Sequence, residues 1–127
     1  MKVYLCGPIN GCSDEEAITW RDWFKASSLD FKYIDPMKRD YRGKELEDYR
    51  EIVDLDKRDI KNSDAAVVMY TKPSVGTSME IFLMWTLGIP VILIDQSDKP
   101  LSPWLIYHAT SIVKTKEEAL QKLEFIK

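Results

Sequence analysis

The sequence has few of the residues that build metal centres and disulfide frameworks. Its 127 residues include only two cysteines and one histidine, His108. Cys6 and Cys12 lack C-x-x-C spacing, and there are no further Cys or His residues to complete a zinc site. We therefore interpret both cysteines as reduced thiols and expect no metal site.

Long apolar runs and runs of one charge are absent as well. No stretch has the length of a membrane span, and the apolar segment 1–6 is too short, and too soon followed by Gly7-Pro8, for a signal peptide. We expect a cytoplasmic protein with no membrane partner. The 18 basic residues are scattered among 21 acidic ones, with a formal charge of −3, so a nucleic-acid polymer is not expected as a partner.

What the sequence does contain is an alternation of strand-like and helix-like segments. The chain has a mass of 14.8 kDa and 45% hydrophobic residues, which is the size of a single domain, 1–127. Capping boxes at Ser13/Glu16 and Thr115/Glu118 open the first and last helices. The predicted strands are 2–6, 31–34, 65–70, 91–94 and 111–113, and the other predicted helices are 45–62, 77–87 and a short one after Ser102-Pro103.

This alternation predicts an α/β fold. We expect a flavodoxin-like five-stranded parallel sheet, order 2-1-3-4-5, with helices on both faces. Such sheets bind ligands at the carboxyl ends of their strands beside the switch point, here between strands one and three. The loops 7–12 and 71–77 should therefore face each other across the site.

Asp56 interrupts the apolar face of the predicted helix 45–62. A buried, unpaired carboxylate costs several kcal/mol or more, so Asp56 must be paired, protonated or at the wet edge of a pocket. An ion pair with Arg58 or a lysine, or a small rotation that exposes the side chain, is the alternative to a functional role. The apolar residues that share its stripe are Leu46, Tyr49, Val53 and Ile60.

Glu80 falls in the first turn of the predicted helix 77–87, where the helix dipole favours an ionised carboxylate by about 0.3 to 1 kcal/mol. It follows a Pro-Ser-x-Gly-Thr-Ser loop at the predicted ligand edge. That loop offers backbone and hydroxyl donors for an anion such as a phosphate, at Ser74, Gly76, Thr77 and Ser78. Acidic residues are common at helix starts, and Ser and Gly are common in loops, so neither feature is specific alone.

Other nucleotide chemistries have no support in the first loop. It lacks the lysine of a P-loop and the spacing of a G-x-G-x-x-G fingerprint, so neither ATP hydrolysis nor hydride transfer is indicated and no cofactor is expected. Tyr4, in the first strand, is either a core residue or a hydroxyl that orients a nearby carboxylate.

Three segments carry a family resemblance: Val3 to Gly11 (VYLCGPING), Asp56 to Ala65, and Pro73 to Glu80 (PSVGTSME). They resemble the nucleoside 2-deoxyribosyltransferase family, especially its branch of 2'-deoxynucleoside 5'-phosphate N-hydrolases. The match runs in order from residue 3 to about residue 94. The resemblance implies a homodimer or larger assembly acting on a small nucleoside or nucleotide.

The resemblance also implies roles for individual residues. Glu80 is the implied nucleophile, Asp56 the acid that serves the departing base, and Tyr4 the residue that positions Glu80. Ser74 matches a serine that holds the 5'-phosphate, whereas Asn10 stands where the hydrolase branch tends to carry an arginine. The expected substrate-binding residues are Gly7, Ile9, Asn10, Gly11, Ser74, Gly76, Thr77 and Trp104.

The segment beyond residue 94 gives weaker indications. Ser102, Trp104 and His108 are candidates for lining the pocket, either of their own subunit or of a neighbour. The competing interpretation, which the sequence favours, puts Trp104 in the core and His108 at the surface as a helix cap.

The implied chemistry is that of retaining glycosidases, in which two carboxylates about 5 Å apart act as nucleophile and acid. Glu80 should be ionised because of its helix start, and the apolar face should raise the pKa of Asp56, so the two environments are expected to act in opposite directions. Transfer of the sugar to another base is the first hypothesis. Hydrolysis of a 5'-monophosphate, a non-catalytic nucleotide-binding module and cleavage of a dinucleotide such as NAD are the alternatives.

Overall fold

The computed structural model describes residues 1–27 and 30–127. Its five strands pair in parallel in the order β2-β1-β3-β4-β5, which confirms the predicted flavodoxin-like sheet. No helix in these two ranges is long and apolar enough to cross a membrane. The strands are β1 (Lys2–Cys6), β2 (Lys32–Ile34), β3 (Ala65–Tyr70), β4 (Val91–Asp95) and β5 (Ser111–Val113).

Helices connect the strands and cover both faces. The helices are α1 (Trp20–Ser27, after a π-helical turn Glu15–Thr19), α2 (Tyr49–Lys61), α3 (Val75–Thr86), α4 (Pro103–His108) and α5 (Lys116–Ile126), with a short 3-10 helix at Pro36–Lys38. The Ser13 hydroxyl accepts a hydrogen bond from the Glu16 backbone N–H, and the Glu16 carboxylate accepts one from the Ser13 N–H. The capping box predicted there is confirmed.

Alternate residues of β1 face opposite sides of the sheet, as the two-residue period of a strand requires. Val3 and Leu5 pack into the core layer beneath α1 and α5. Tyr4 and Cys6 pack into the layer beneath α2, α3 and α4. Tyr4 and Cys6 therefore lie on the same side as the helices that carry Asp56 and Glu80.

Helix α2 is shorter and differently rotated than predicted. Residues 45–48 form turns, in which the backbone N–H groups of 47 and 48 both donate to the carbonyl of Lys44. Leu46 is 93% exposed, and Tyr49 and Val53 are exposed as well, so of the predicted apolar stripe only Ile60 is buried. The other buried residue of α2 is Asp59.

Helix α3 begins two residues earlier than predicted. The Ser74 side chain accepts a hydrogen bond from the Thr77 N–H and acts as the N-cap, so the first helical residue is Val75. Glu80 consequently lies in the second turn and no acidic residue occupies the first. The expected stabilisation of an ionised Glu80 by the helix start is wrong, because the dipole effect is confined to the first turn.

Candidate active site

The loops that follow β1 and β3 lie side by side, as predicted. Strands β1 and β3 are neighbours in register from Val3 to Cys6, so their carboxyl ends meet at one edge of the sheet. An ion pair of 3.2 Å between Lys72 Nζ and Glu16 Oε2 connects the loop after β3 to the turn after the first loop. Asn10 and Gly11 are exposed at the tip of the first loop, and Ile9 is partly buried below them.

Gly7 is where the first loop comes closest to the core. A Cβ placed there would lie 2.9 Å from the ring of Trp20 and 3.1 Å from the carbonyl oxygen of Met69, closer than a side chain tolerates. The Gly7 carbonyl accepts a hydrogen bond of 3.2 Å from Nη2 of Arg21, a residue with no exposed surface. Gly7 thus fixes the path of the loop and leaves no room for a side chain of its own.

Two buried donors hold the carboxylate of Glu80. The hydroxyl of Tyr4 lies 3.0 Å from Oε2 and 3.3 Å from Oε1, and the thiol of Cys6 lies 3.4 Å from Oε1. Both donors come from the buried strand β1, whereas Glu80 itself keeps some exposed surface. The carboxylate is therefore fixed in direction while part of the residue still reaches solvent.

Burial makes this carboxylate hard to ionise. It raises the pKa of Glu80 from 4.5 to about 7, and the charge of Asp56 adds to the rise, whereas the hydrogen bonds from Tyr4 and Cys6 oppose it. Burial, followed by the charge of Glu80, also raises the pKa values of Tyr4 and Cys6 well above their usual range. Both groups keep their protons at neutral pH and remain donors.

Asp56 projects from α2 with 24% of its side chain exposed. Its ionic neighbour is Arg39, whose Nη2 lies 3.5 Å from Oδ1, and not Arg58, which lies 3.8 Å from Asp59. Burial raises the pKa of Asp56 to about 6, the cation of Arg39 lowers it, and the charge of Asp59 raises it again. The direction agrees with the sequence-based expectation for Asp56. The expected opposition to Glu80 is wrong, because burial raises both pKa values.

The loop before α3 holds the other predicted binding residues. Ser74 Oγ accepts the 3.3 Å hydrogen bond that caps the helix, and its own hydroxyl proton is left to donate elsewhere. Gly76 is exposed, and a Cβ added there would meet no atom within 4 Å beyond its chain neighbours and the nearby backbone of its own helix. Thr77 is buried, so it faces the interior and not the outer surface of the loop.

Trp104 lies on α4 and lines the same cavity as Lys72 and Pro73 of the loop after β3. It is 71% exposed and stacks on the buried ring of His108 at 5.8 Å, so the expected core position of Trp104 and surface position of His108 are reversed. Trp104 helps to line a cavity of about 930 Å³ between β3, α3 and α4, together with Lys72 and Phe82. The lining of this cavity includes neither Glu80 nor Asp56. Asp56 on α2 and Glu80 on α3 therefore lie outside the lining of this cavity, although Met79 and Ile81, the neighbours of Glu80, contribute to it.

A family model for nucleoside 2-deoxyribosyltransferase matches residues 3–122 of the chain. The protein belongs to this family. No curated protein matches the sequence at a significant level. Family membership supports a nucleoside deoxyribosyltransferase or N-glycosidase activity on a small nucleoside or nucleotide.

Solved structures share the fold of this family member at low sequence identity. A 2-deoxyribosyltransferase of Bacillus psychrosaccharolyticus is 16% identical over 94% of this chain and 90% of its own, with a TM-score of 0.76. A conserved protein of Enterococcus faecalis V583 is 15% identical over 99% and 98%, with a TM-score of 0.79. A CMP N-glycosidase of Clostridium botulinum is 20% identical over 98% and 99%, with a TM-score of 0.60.

Four residues of this family member lie at the site without having been predicted. Cys6 shares its strand face with Tyr4, so the two-residue period could have identified it. Asp59 follows Asp56 by one helical turn, so the helical period could have identified it as well. Arg39 lies in the polar segment after β2, which has no periodicity, and Arg21 is a buried cation in a helix whose pattern reveals only its aromatic residues.

Within residues 1–27 and 30–127, no group of three or more His, Cys, Asp or Glu side chains could hold a metal ion.

Proposed function

We propose that the protein cleaves the N-glycosidic bond of 2'-deoxynucleosides, or of their 5'-monophosphates, and transfers the sugar to another nucleobase. The observation that carries this proposal is the carboxylate of Glu80, held by Tyr4 and Cys6 at the ligand-binding edge of the sheet. The acid beside it is Asp56, whose raised pKa suits a group that must hold a proton. The family supplies the class of substrate.

In the proposed first step a Glu80 oxygen forms a bond to C1' of the sugar. The C1'–N bond breaks, its electron pair stays on the departing base, and that base takes the proton of Asp56. In the second step the ionised Asp56 removes a proton from the incoming base, whose nitrogen attacks C1' and releases Glu80 as a carboxylate. Water in place of the second base gives free deoxyribose, or its 5'-phosphate, by the same route.

The protonation states restrict this reaction to a window of pH. With pKa values of about 6 for Asp56 and about 7 for Glu80, the pair holds one proton between these values. The reactive form has that proton on Asp56 and none on Glu80. In the free protein the proton is shared with Glu80, so substrate binding has to favour its transfer to Asp56.

Hydrolysis of a 5'-monophosphate is the second candidate, and the loop before α3 favours it. Ser74 retains a hydroxyl proton for a phosphate oxygen while it caps the helix. Exposed Asn10 provides no positive charge at the other end of the site, which is a departure from the arginine expected of a phosphate-specific member. Phosphate recognition would then depend on the Ser74 loop, and Ser74→Ala should raise KM for the monophosphate but not for the nucleoside.

Base exchange decides between the two reactions. The protein is mixed with a deoxynucleoside or its 5'-phosphate, with and without a second base, and products are separated by chromatography. A new nucleoside supports transfer, free sugar or sugar phosphate supports hydrolysis, and binding without turnover would support the non-catalytic alternative. Release of nicotinamide from NAD would identify a dinucleotide substrate.

Mass spectrometry tests the covalent step. A sugar adduct on the peptide containing Glu80 is expected under turnover, and Glu80→Gln should form neither adduct nor product. Product formation by an intact protein that never carries an adduct at Glu80 would refute the covalent route.

We also propose that the protein is a homodimer or a larger homo-oligomer. Helices α3 and α4 expose a continuous aromatic surface, with Phe82 stacked on Trp85 at 6.2 Å and Trp85 tilted against Tyr107 at 6.0 Å. An apolar surface of this kind is typical of an interface between subunits. Sedimentation equilibrium should show an oligomer that Trp85→Glu dissociates. The matched control is Phe125→Glu on α5, another exposed aromatic residue, which should leave the assembly intact.

A further inference from the structure

Asp59 is a buried carboxylate for which the proposed reaction has no use. It follows Asp56 by three residues on α2, so the two carboxylates project from the same side of the helix. Its Oδ2 lies 2.6 Å from Nη2 of Arg39 and 3.6 Å from Nζ of Lys38, and its Oδ1 lies 3.8 Å from Nη2 of Arg58. A buried carboxylate is costly unless it is paired, and Arg39 is the nearest of its three cations.

Arg39 presents one nitrogen to two carboxylates at unequal distances. Nη2 lies 2.6 Å from Asp59 Oδ2 but 3.5 Å from Asp56 Oδ1. Charge-assisted N–H···O bonds are about 2.7 to 2.9 Å long, so the bond to Asp59 is strong and the contact with Asp56 is weak. Asp59 therefore holds the guanidinium back from a close ion pair with Asp56. Among the described residues no hydrogen bond reaches Asp56 Oδ2, which leaves that oxygen to meet the departing base.

We propose that Asp59 and Arg39 are positioning residues for Asp56: Asp59 anchors the guanidinium, and the anchored guanidinium orients the acid and controls how readily it holds a proton. The inference rests on the proposed function of Asp56 as the acid. It gives Asp59 a role that does not require contact with substrate. Without this anchor, Arg39 is free to move onto Asp56 and keep it ionised, which would leave the departing base without a proton.

The other charged and titratable groups around Asp56 come from three further elements. Arg21 of α1 lowers the pKa of Asp56, while the charge of Asp56 in turn raises the pKa values of Glu80 on α3 and of Tyr4 and Cys6 on β1. None of these groups touches Arg39 or Asp59 in the hydrogen bonds and ion pairs of the described chain. Changes at Arg39 and Asp59 can thus be separated from changes at the nucleophile.

The two residues should have opposite effects on the acid. Asp59→Asn removes a negative charge and frees Arg39, so the pKa of Asp56 should fall. Arg39→Met removes the cation, so the pKa of Asp56 should rise. Each substitution should shift the pKa of Asp56 by about 1, which is the lower end of the shift that a charge at this distance produces. A residue that merely holds the fold together would not give shifts of opposite sign.

The experiment is a titration of the Asp56 carboxyl carbon by NMR in protein labelled with carbon-13 aspartate, with Asp56→Asn to assign the signal. Opposite shifts in Asp59→Asn and Arg39→Met support the inference, and shifts of the same sign, or none, overturn it. Lys38→Met is the matched control, because Lys38 contacts Asp59 without contacting Asp56, and it should not move the titration. Arg39→Lys keeps the cation and should restore most of the wild-type value.

Two further readouts separate this inference from the proposed function. The low-pH limb of base release, which is set by Asp56 as the group with the lower pKa, should move down in Asp59→Asn and up in Arg39→Met. A wild-type protein without glycosidic activity would refute the proposed function, while the carboxyl titrations would still decide the role of Asp59 and Arg39. If Asp59→Asn fails to fold, the upward shift in Arg39→Met and its reversal in Arg39→Lys remain the test.

Discussion

Replacing Tyr4 by phenylalanine removes one oxygen atom from the site and leaves the buried ring in place. The lost hydroxyl donates to both oxygens of Glu80, at 3.0 Å and 3.3 Å, from a side chain with no exposed surface. Hydrogen bonds to charged groups contribute about 1.5 to 3 kcal/mol. Because the proposed reaction needs this bond when Glu80 is ionised and attacks C1', we expect kcat/KM to fall roughly 10- to 100-fold.

The pH dependence provides a second readout of the same substitution. The hydrogen bond from Tyr4 lowers the pKa of Glu80 against the larger effect of burial. Without it the pKa of Glu80 should rise above about 7, and the high-pH limb of the rate profile, which is set by the group with the higher pKa, should move upward with it. A purely structural role of the tyrosine would lower the rate without moving this limb.

The assay is base release followed by ultraviolet absorbance across a range of pH, with circular dichroism to confirm the fold. Tyr33→Phe is the matched control, because Tyr33 packs against the opposite core layer and should leave both rate and pH profile unchanged. A Tyr4→Phe variant with kcat/KM within a factor of two of wild type would refute the assignment of Tyr4 as the orienting donor of Glu80.

Three further predictions follow from the site. Wild-type activity should form a narrow bell with its maximum between about pH 6 and about pH 7, and a rate still rising at pH 9 would contradict the shared proton. Glu80→Gln should raise the free energy of unfolding at pH 8 by up to about 3 kcal/mol. The pKa of Glu80 is about 7 in the folded protein and 4.5 ordinarily, so the stability of the wild-type protein falls as pH rises between these values. The gain from the substitution should therefore vanish near pH 4. Gly7→Ala should lose about 1 to 3 kcal/mol of stability in urea unfolding because its Cβ meets Trp20, whereas Gly76→Ala, in open space on α3, should be neutral or stabilising; equal losses would refute the steric argument.

The sheet was predictable because its signals are local. Continuous apolar strands such as Ala65–Tyr70, separated by capped helices, specify a parallel sheet, and the rules of crossover handedness leave few strand orders. The pairing of Tyr4 with Glu80 followed from the resemblance and from the meeting of strand ends. The strands and caps depend on patterns within single segments, whereas the pairing of Tyr4 with Glu80 joins two segments 76 residues apart.

The electrostatics of the site were less predictable, because they depend on burial and on the rotation of helices. The N-cap at Ser74 moves the start of α3 and places Glu80 in the second turn, away from the helix dipole. Similarly, the turns at 45–48 start α2 later than its apolar pattern indicates, and Asp59 is buried beside Ile60 while the other apolar residues of the pattern are exposed. The partner of Asp56 could not be found at all, since Arg39 lies far away in sequence and in a segment without a repeating pattern.

The alternation of strand β1 points Val3 and Leu5 to one face of the sheet and Tyr4 and Cys6, the two donors to Glu80, to the other. Deleting or inserting a single residue here would exchange the two sets and point both donors of Glu80 into the wrong layer. The length of this strand is thus constrained as well as the identity of Tyr4. A library of the first six residues should tolerate many conservative substitutions and almost no single-residue change in length, even where the sheet itself still forms.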